Sequence, residues 1–199
     1  MPHSTKPLIK ILTGSTRPNR FNIQPSVWIY ELAKKRSDID VELVDIEKIN
    51  LPLLDEPMPP SMHQYSKEHT KLWSKIIDDA DGFIIVTPEY NHGISGALKN
   101  ALDYLYVEWN HKPVSYISYG SAAGGARAVE HLRGVAGEQK MYDLREQLLF
   151  PHYYSDMDDQ GKYKFNVHHE HQAEKILNEL TFWARVMKEA RAELATQKK

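Results

Sequence analysis

The chain has 199 residues, of which 41% are hydrophobic and 26% charged, with a net charge of −2 and no cysteine. An ordinary apolar share argues against disorder, near-zero charge removes the basic footprint of a nucleic-acid binder, and the lack of thiols excludes disulfides and cysteine-held metal centres. Apolar runs fall far short of the roughly 20 residues that cross a bilayer, and Met1–Lys10 lacks the apolar stretch of a signal peptide, so a cytoplasmic protein with no membrane and no nucleic-acid partner is expected.

In chain order, Leu8–Leu12 is a short apolar run between Pro7 and Gly14 and predicts a buried strand. Ile23–Lys35 follows with helical spacing, Pro25 being tolerated in its first turn. Val41–Ile46 alternates apolar and polar residues and predicts a second strand. Ile49–Pro60 carries four of the eleven prolines and reads as an irregular surface loop. Ser66–Asp79 is an amphipathic helix through Leu72, Trp73, Ile76 and Ile77, and Gly82–Thr87 is the most hydrophobic strand. A helix over Ser95–Glu108, capped by Ser95, leads to a strand at Val114–Tyr119. Ala126–Ala136 predicts a helix broken by Gly134 and Gly137, Met141–Phe150 a fifth strand, and Glu170–Thr196 a long terminal helix.

Alternation of strands and helices predicts a parallel sheet covered on both faces. The expected fold is therefore α/β: a three-layer, doubly wound, five-stranded sheet in the order 2-1-3-4-5, since five strands suit this length better than six. One domain spans residues 1–199, with a core over 8–150 and a terminal helix over 170–196.

In such folds ligands bind beyond the C-terminal ends of the strands. Six of the ten glycines follow strands one, three and four. The first of these loops, Gly14–Asn22, sets two hydroxyls, two guanidinium groups and two amides before a helix N-terminus, which makes an anion site. Helix capping accounts for one such residue, not for six. The loop has neither dinucleotide-binding nor P-loop spacing, so a mononucleotide phosphate fits better. The second loop, Thr87–Gly96, suits a flat heteroaromatic ring, or is only a strand-to-helix turn capped by Ser95. The third, Tyr119–Ala126, is small enough for a ligand to approach, or for tight packing of the next helix.

Other constellations are weaker. His168–His171 reads as a solvated helix start rather than a metal site, and Asp156–Gly161 as an acidic turn, because Val167 stands where a calcium loop needs glutamate. Lys188–Lys199 reads as a solvated helix face. Ala101–Trp109 is apolar around most of its circumference, which suggests a subunit contact.

Taken together, GSTRPNR, PEYNHGISGALKNALDYL and YGSAAGGARAVEHLR make the chain resemble the NADPH-dependent FMN reductase family, of the flavodoxin-like superfamily, over residues 8–150. The resemblance implies that Ser15, Arg17, Arg20 and Asn22 hold the FMN phosphate. Pro88, Glu89, Tyr90 and Asn91 would line the isoalloxazine, largely through main-chain groups, and Gly120, Ser121, Gly124 and Gly125 would close its far side. It implies NADPH or NADH as cosubstrate, ping-pong reduction of a small-molecule acceptor (a quinone, an azo compound or free flavin), and a homodimer or homotetramer. No side-chain nucleophile or acid is required, because the flavin carries the hydride chemistry. The alternative is a flavodoxin-like electron carrier or redox-regulatory protein; a carrier is disfavoured by the neutral charge and the arginine-bearing loop.

Overall fold

The computed structural model describes residues 6–197. Five strands, β1 (Leu8–Thr13), β2 (Asp40–Asp45), β3 (Gly82–Pro88), β4 (Pro113–Tyr119) and β5 (Tyr142–Phe150), pair in parallel in the order β2-β1-β3-β4-β5. β3 and β4 are buried at every position, as central strands covered on both faces must be. β2 is an edge strand, like β5 on the other side, and leaves Asp40, Glu42 and Leu43 exposed, which accounts for its alternating sequence.

Because side chains alternate across a strand, the sheet splits the interior into two cores. Phe83 and Ile85 of β3 join Trp73, Leu98, Leu102, Trp109 and Leu132 beneath α3 (Glu68–Asp78), α4 (Gly96–Asp103) and α5 (Ala126–Glu138). Ile84 and Val86 join Ile29, Ile117, Phe150, Ile176 and Leu180 beneath α1 (Ile23–Lys34) and α6 (Val167–Gln197). A single helical turn, α2 (Ile46–Ile49), follows β2 directly; Asp45 caps it by accepting the Glu47 N–H.

The structure differs from the sequence expectations in three places. The helix expected over Ser95–Glu108 stops at Asp103, and Val107–Trp109 forms a separate 3-10 turn. Its last carbonyls are taken by side chains from elsewhere: Leu102 O accepts Trp109 Nε1 at 3.2 Å and Gln139 Nε2 at 2.7 Å. Leu98, Ala101, Leu102, Tyr104, Leu105 and Trp109 all lie inside one chain's core, so the apolar surplus of this stretch is consumed internally and is not itself an argument for a subunit contact. Gly134 and Gly137 do not break α5, because Val129, Leu132 and Ala136 hold it to the sheet. α6 starts at Val167, three residues early: Asn166 Oδ1 accepts the His168 and His169 N–H groups, and His169 Nδ1 accepts the Asn166 N–H. That reciprocal pair is a capping box with histidine in the glutamate position.

Candidate functional site

The C-terminal ends of β1, β3 and β4 deliver their loops to one cleft of about 760 Å³. The loop after β1 begins at Gly14, whose N–H donates to Val86 O at 2.7 Å. A Cβ there would sit 2.8 Å from the same oxygen, so the close approach requires glycine. Ser15 is fully buried; its hydroxyl lies 3.1 Å from the Tyr90 hydroxyl and accepts the Arg17 N–H. It joins the first two loops rather than lining the cleft.

The two arginines have separate roles. Arg17 is exposed on the cleft wall, and its guanidinium has no partner among the described residues. Arg20 also touches the cleft, but its guanidinium is spent on Asp45 at 2.6 Å and Glu47 at 2.5 Å. Asp45 in turn accepts the Thr13 hydroxyl at 2.9 Å, so this network pins the loop to the ends of β1 and β2. The backbone N–H groups of Thr16 and Asn19 find no acceptor among the described residues. Asn22, at the N-terminus of α1, is fully buried with neither side-chain Nδ2 nor Oδ1 partnered. An orphaned buried amide costs about 1–3 kcal/mol, and Asn22 is not among the residues that line the cleft.

In the second loop Pro88, Glu89 and Tyr90 reach the cleft. Tyr90 and Gly93 exchange both backbone hydrogen bonds, at 2.9 and 3.1 Å, around Asn91 (φ 50°) and His92 (φ 69°). Two consecutive positive φ values make a type I′ turn, for which asparagine is favoured. Asn91 therefore sits at the exposed tip and is absent from the cleft wall. Ser95 caps α4 by accepting the Leu98 N–H at 3.1 Å and donates to Gly14 O at 2.6 Å.

Gly120 and Ser121 of the third loop line the cleft; Gly124 and Gly125 do not. The last two have φ of 59° and 90°. A Cβ on Gly125 would meet Ser118 Cβ at 2.6 Å, and one on Gly124 would meet Pro151 N at 2.9 Å. Their smallness serves packing. Glu89 links this loop to the second: its carboxylate accepts the Arg127 N–H at 3.1 Å and Arg127 Nε at 2.5 Å in the first turn of α5. Burial raises the Glu89 carboxyl, but the Arg127 guanidinium and the helix N–H groups outweigh it and hold the group below its usual value.

Sequence reasoning missed one wall altogether. Gln24, Tyr153, Tyr154, Met157 and Gly161 complete the cleft, beside Phe21 and Tyr119 of the first and third loops. The signal was there: Phe150, Tyr153, Tyr154, Tyr163 and Phe165 crowd one polar stretch.

A family model, NADPH-dependent FMN reductase, matches residues 7–155. An NAD(P)H-dependent FMN reductase of Schizosaccharomyces pombe is 44% identical over 137 residues, covering 68% of each chain. A 2-hydroxy-1,4-benzoquinone reductase of Burkholderia is 38% identical over 133 residues, 64% of this chain and 68% of that one. The fold is similar to that of a solved flavoenzyme NAD(P)H:(acceptor) oxidoreductase of Paracoccus denitrificans, with a TM-score of 0.70 at 18% identity over 91% of this chain and 98% of that one.

Proposed function

Because the chain belongs to the NADPH-dependent FMN reductase family, we infer that its cleft holds FMN and that it is an FMN-dependent NAD(P)H oxidoreductase reducing quinones, azo compounds or free flavin. The observation that supports this most is the division of labour at the first loop. One unpaired guanidinium, Arg17, and the unpartnered N–H groups of Thr16 and Asn19 gather before α1, where a phosphate dianion supplies the acceptors they lack. Pro88, Glu89, Tyr90, Gly120 and Ser121 bound the rest of the cleft and would take the ring. Ser15, Gly124 and Gly125 shape those loops from behind.

When bound, the flavin takes hydride from NAD(P)H and passes the electrons to the acceptor. The protein's part is to bind, orient and leave one side of the cleft open for cosubstrate and acceptor in turn. No helix among the described residues is long and apolar enough to cross a membrane, and a cytoplasmic homodimer is proposed. Purified protein should carry non-covalent FMN with a flavin absorbance spectrum, bind FMN far more tightly than riboflavin, and oxidise NADPH with menadione. Equal affinity for FMN and riboflavin by fluorescence quenching overturns the phosphate assignment.

A further inference from the structure

We propose that the segment after β5, a small hairpin over residues 156–164 with Tyr153 and Tyr154 at its base, is the acceptor-selecting wall of the cleft, and that Gln24 is the positioning residue that holds it there. This deepens the reading above and rests on it. The hairpin is built locally: Met157 and Tyr163 pair as an antiparallel bridge. Asp158 Oδ1 accepts the N–H groups of Gln160 and Lys162, both at 2.9 Å, and Gly161 turns with φ of 74°. Its docking is specific. Gln24 on the first turn of α1 donates from Nε2 to Gly161 O at 2.8 Å and accepts the Tyr163 N–H on Oε1 at 2.7 Å. One side-chain amide thus reads the hairpin backbone at two points, as a neighbouring strand would.

The face turned to the cleft is aromatic and held. Tyr153 stacks on Phe21 with ring centres 4.4 Å apart and meets Tyr119 edge-on at 5.2 Å. Tyr154 meets Tyr153 edge-on, and its hydroxyl lies 3.0 Å from His152 Nδ1, yet the residue stays 56% exposed. A large ring fixed along two sides and bare on the third is a contact surface awaiting a flat partner. Met157, adaptable in shape, continues that surface. Tyr153 and Tyr154 fall within the match to the family model, which ends at residue 155, and the hairpin that backs them follows it.

The test uses the FMN-loaded protein and two acceptors of unlike shape: menadione, a flat two-ring quinone, and ferricyanide, an octahedral anion with no ring to stack. Tyr154→Ala should lower the kcat/KM ratio of menadione to ferricyanide about three- to tenfold, the scale of one lost aromatic contact. It should also weaken menadione binding to the oxidised protein by a similar factor, read as perturbation of flavin absorbance. Gln24→Ala should lower the same ratio and speed hydrogen exchange at the Tyr163 amide, whereas Gln24→Glu, which keeps the acceptor, should leave that amide protected. An unchanged ratio and unchanged menadione binding in Tyr154→Ala, with FMN retained, overturn the wall. A protein that binds no FMN overturns the reading beneath it instead, so the two failures are distinct.

Discussion

The first loop carries two arginines three positions apart, and only the structure separates them. Arg20 faces Asp45 and Glu47, which arrive from the end of β2 some 25 residues later, and no local pattern announces that pairing. Arg17 is left with its charge unspent. Arg17→Ala should therefore weaken FMN binding by about 1.5–3 kcal/mol, roughly ten- to a hundredfold, at unchanged thermal stability of the ligand-free protein. Arg20→Ala should do the reverse in its first effect. It strips a nearly buried carboxylate of its partner, a loss on the scale of 3 kcal/mol, so the ligand-free protein should melt roughly 6–12 °C lower. Calorimetry and fluorescence titration of both variants check this, and an Arg20→Ala protein of normal stability would return that residue to the phosphate. Glu89 follows a related logic. Its folded-state carboxyl titrates below the unfolded value, so its stabilising contribution is complete above about pH 4.3 and lost as the pH falls through the folded value. Glu89→Gln should consequently show a shallower loss of melting temperature between pH 5 and pH 3 than the parent.

Elements were legible where a period ran unbroken and illegible where a distant side chain ended them. The alternation of Val41–Ile46 and the unbroken apolar run of Gly82–Thr87 correctly separate an edge strand from a central one. The end of α4 was not legible, because Trp109 and Gln139 supply its terminal hydrogen bonds from outside the helix. The cleft's fourth wall was missed for the same reason: the clasp spans Gln24 to Gly161 and Tyr163, and its meaning exists only in the folded chain. α3 shows the same dependence. Its C-terminal carbonyls at Ile77 and Asp78 accept from the buried Lys112 Nζ, at 2.9 and 2.8 Å. Burial pushes that amine down to about 8, below its unfolded value near 10.4. Between those values the unfolded chain binds more protons, so stability rises with pH as the folded amine gives up its charge. The parent protein should gain resistance to urea between pH 8 and pH 9.5, below the onset of tyrosine ionisation. Lys112→Met should lack that gain, and equal slopes in the two proteins would refute the assignment.

At the scale of the whole molecule, the question is what apolar surface one chain leaves uncovered. The helix that looked like a subunit contact is filled by its own core, yet the proline-rich loop laid across it is not. Leu53 is 84% exposed, and Leu54, Met58 and Met62 of the same stretch of chain are exposed at 44%, 38% and 48%. The loop bearing them is firmly held. Asn100 of α4 accepts the Leu54 N–H at 2.9 Å and donates to Pro52 O at 2.7 Å. Glu56 accepts the Ser66 and Lys67 N–H groups, and the buried Glu108 accepts the Tyr65 hydroxyl at 3.0 Å and the Ser74 hydroxyl at 2.5 Å. Apolar side chains presented on a fixed support, rather than on a loop free to fold inward, are what a protein interface needs. The proposed homodimer is therefore placed on this loop, over α4, instead of on α4 itself. Light scattering of the FMN-loaded protein at micromolar concentration should give twice the chain mass. Leu53→Glu combined with Met62→Glu should halve it, because two carboxylates facing their copies across a dry contact repel and lose their hydration. The substituted positions lie away from the cleft wall, so flavin content should be retained. A parent protein that scatters as one chain rules out the dimer, and a double variant that still scatters as two moves the contact to another face.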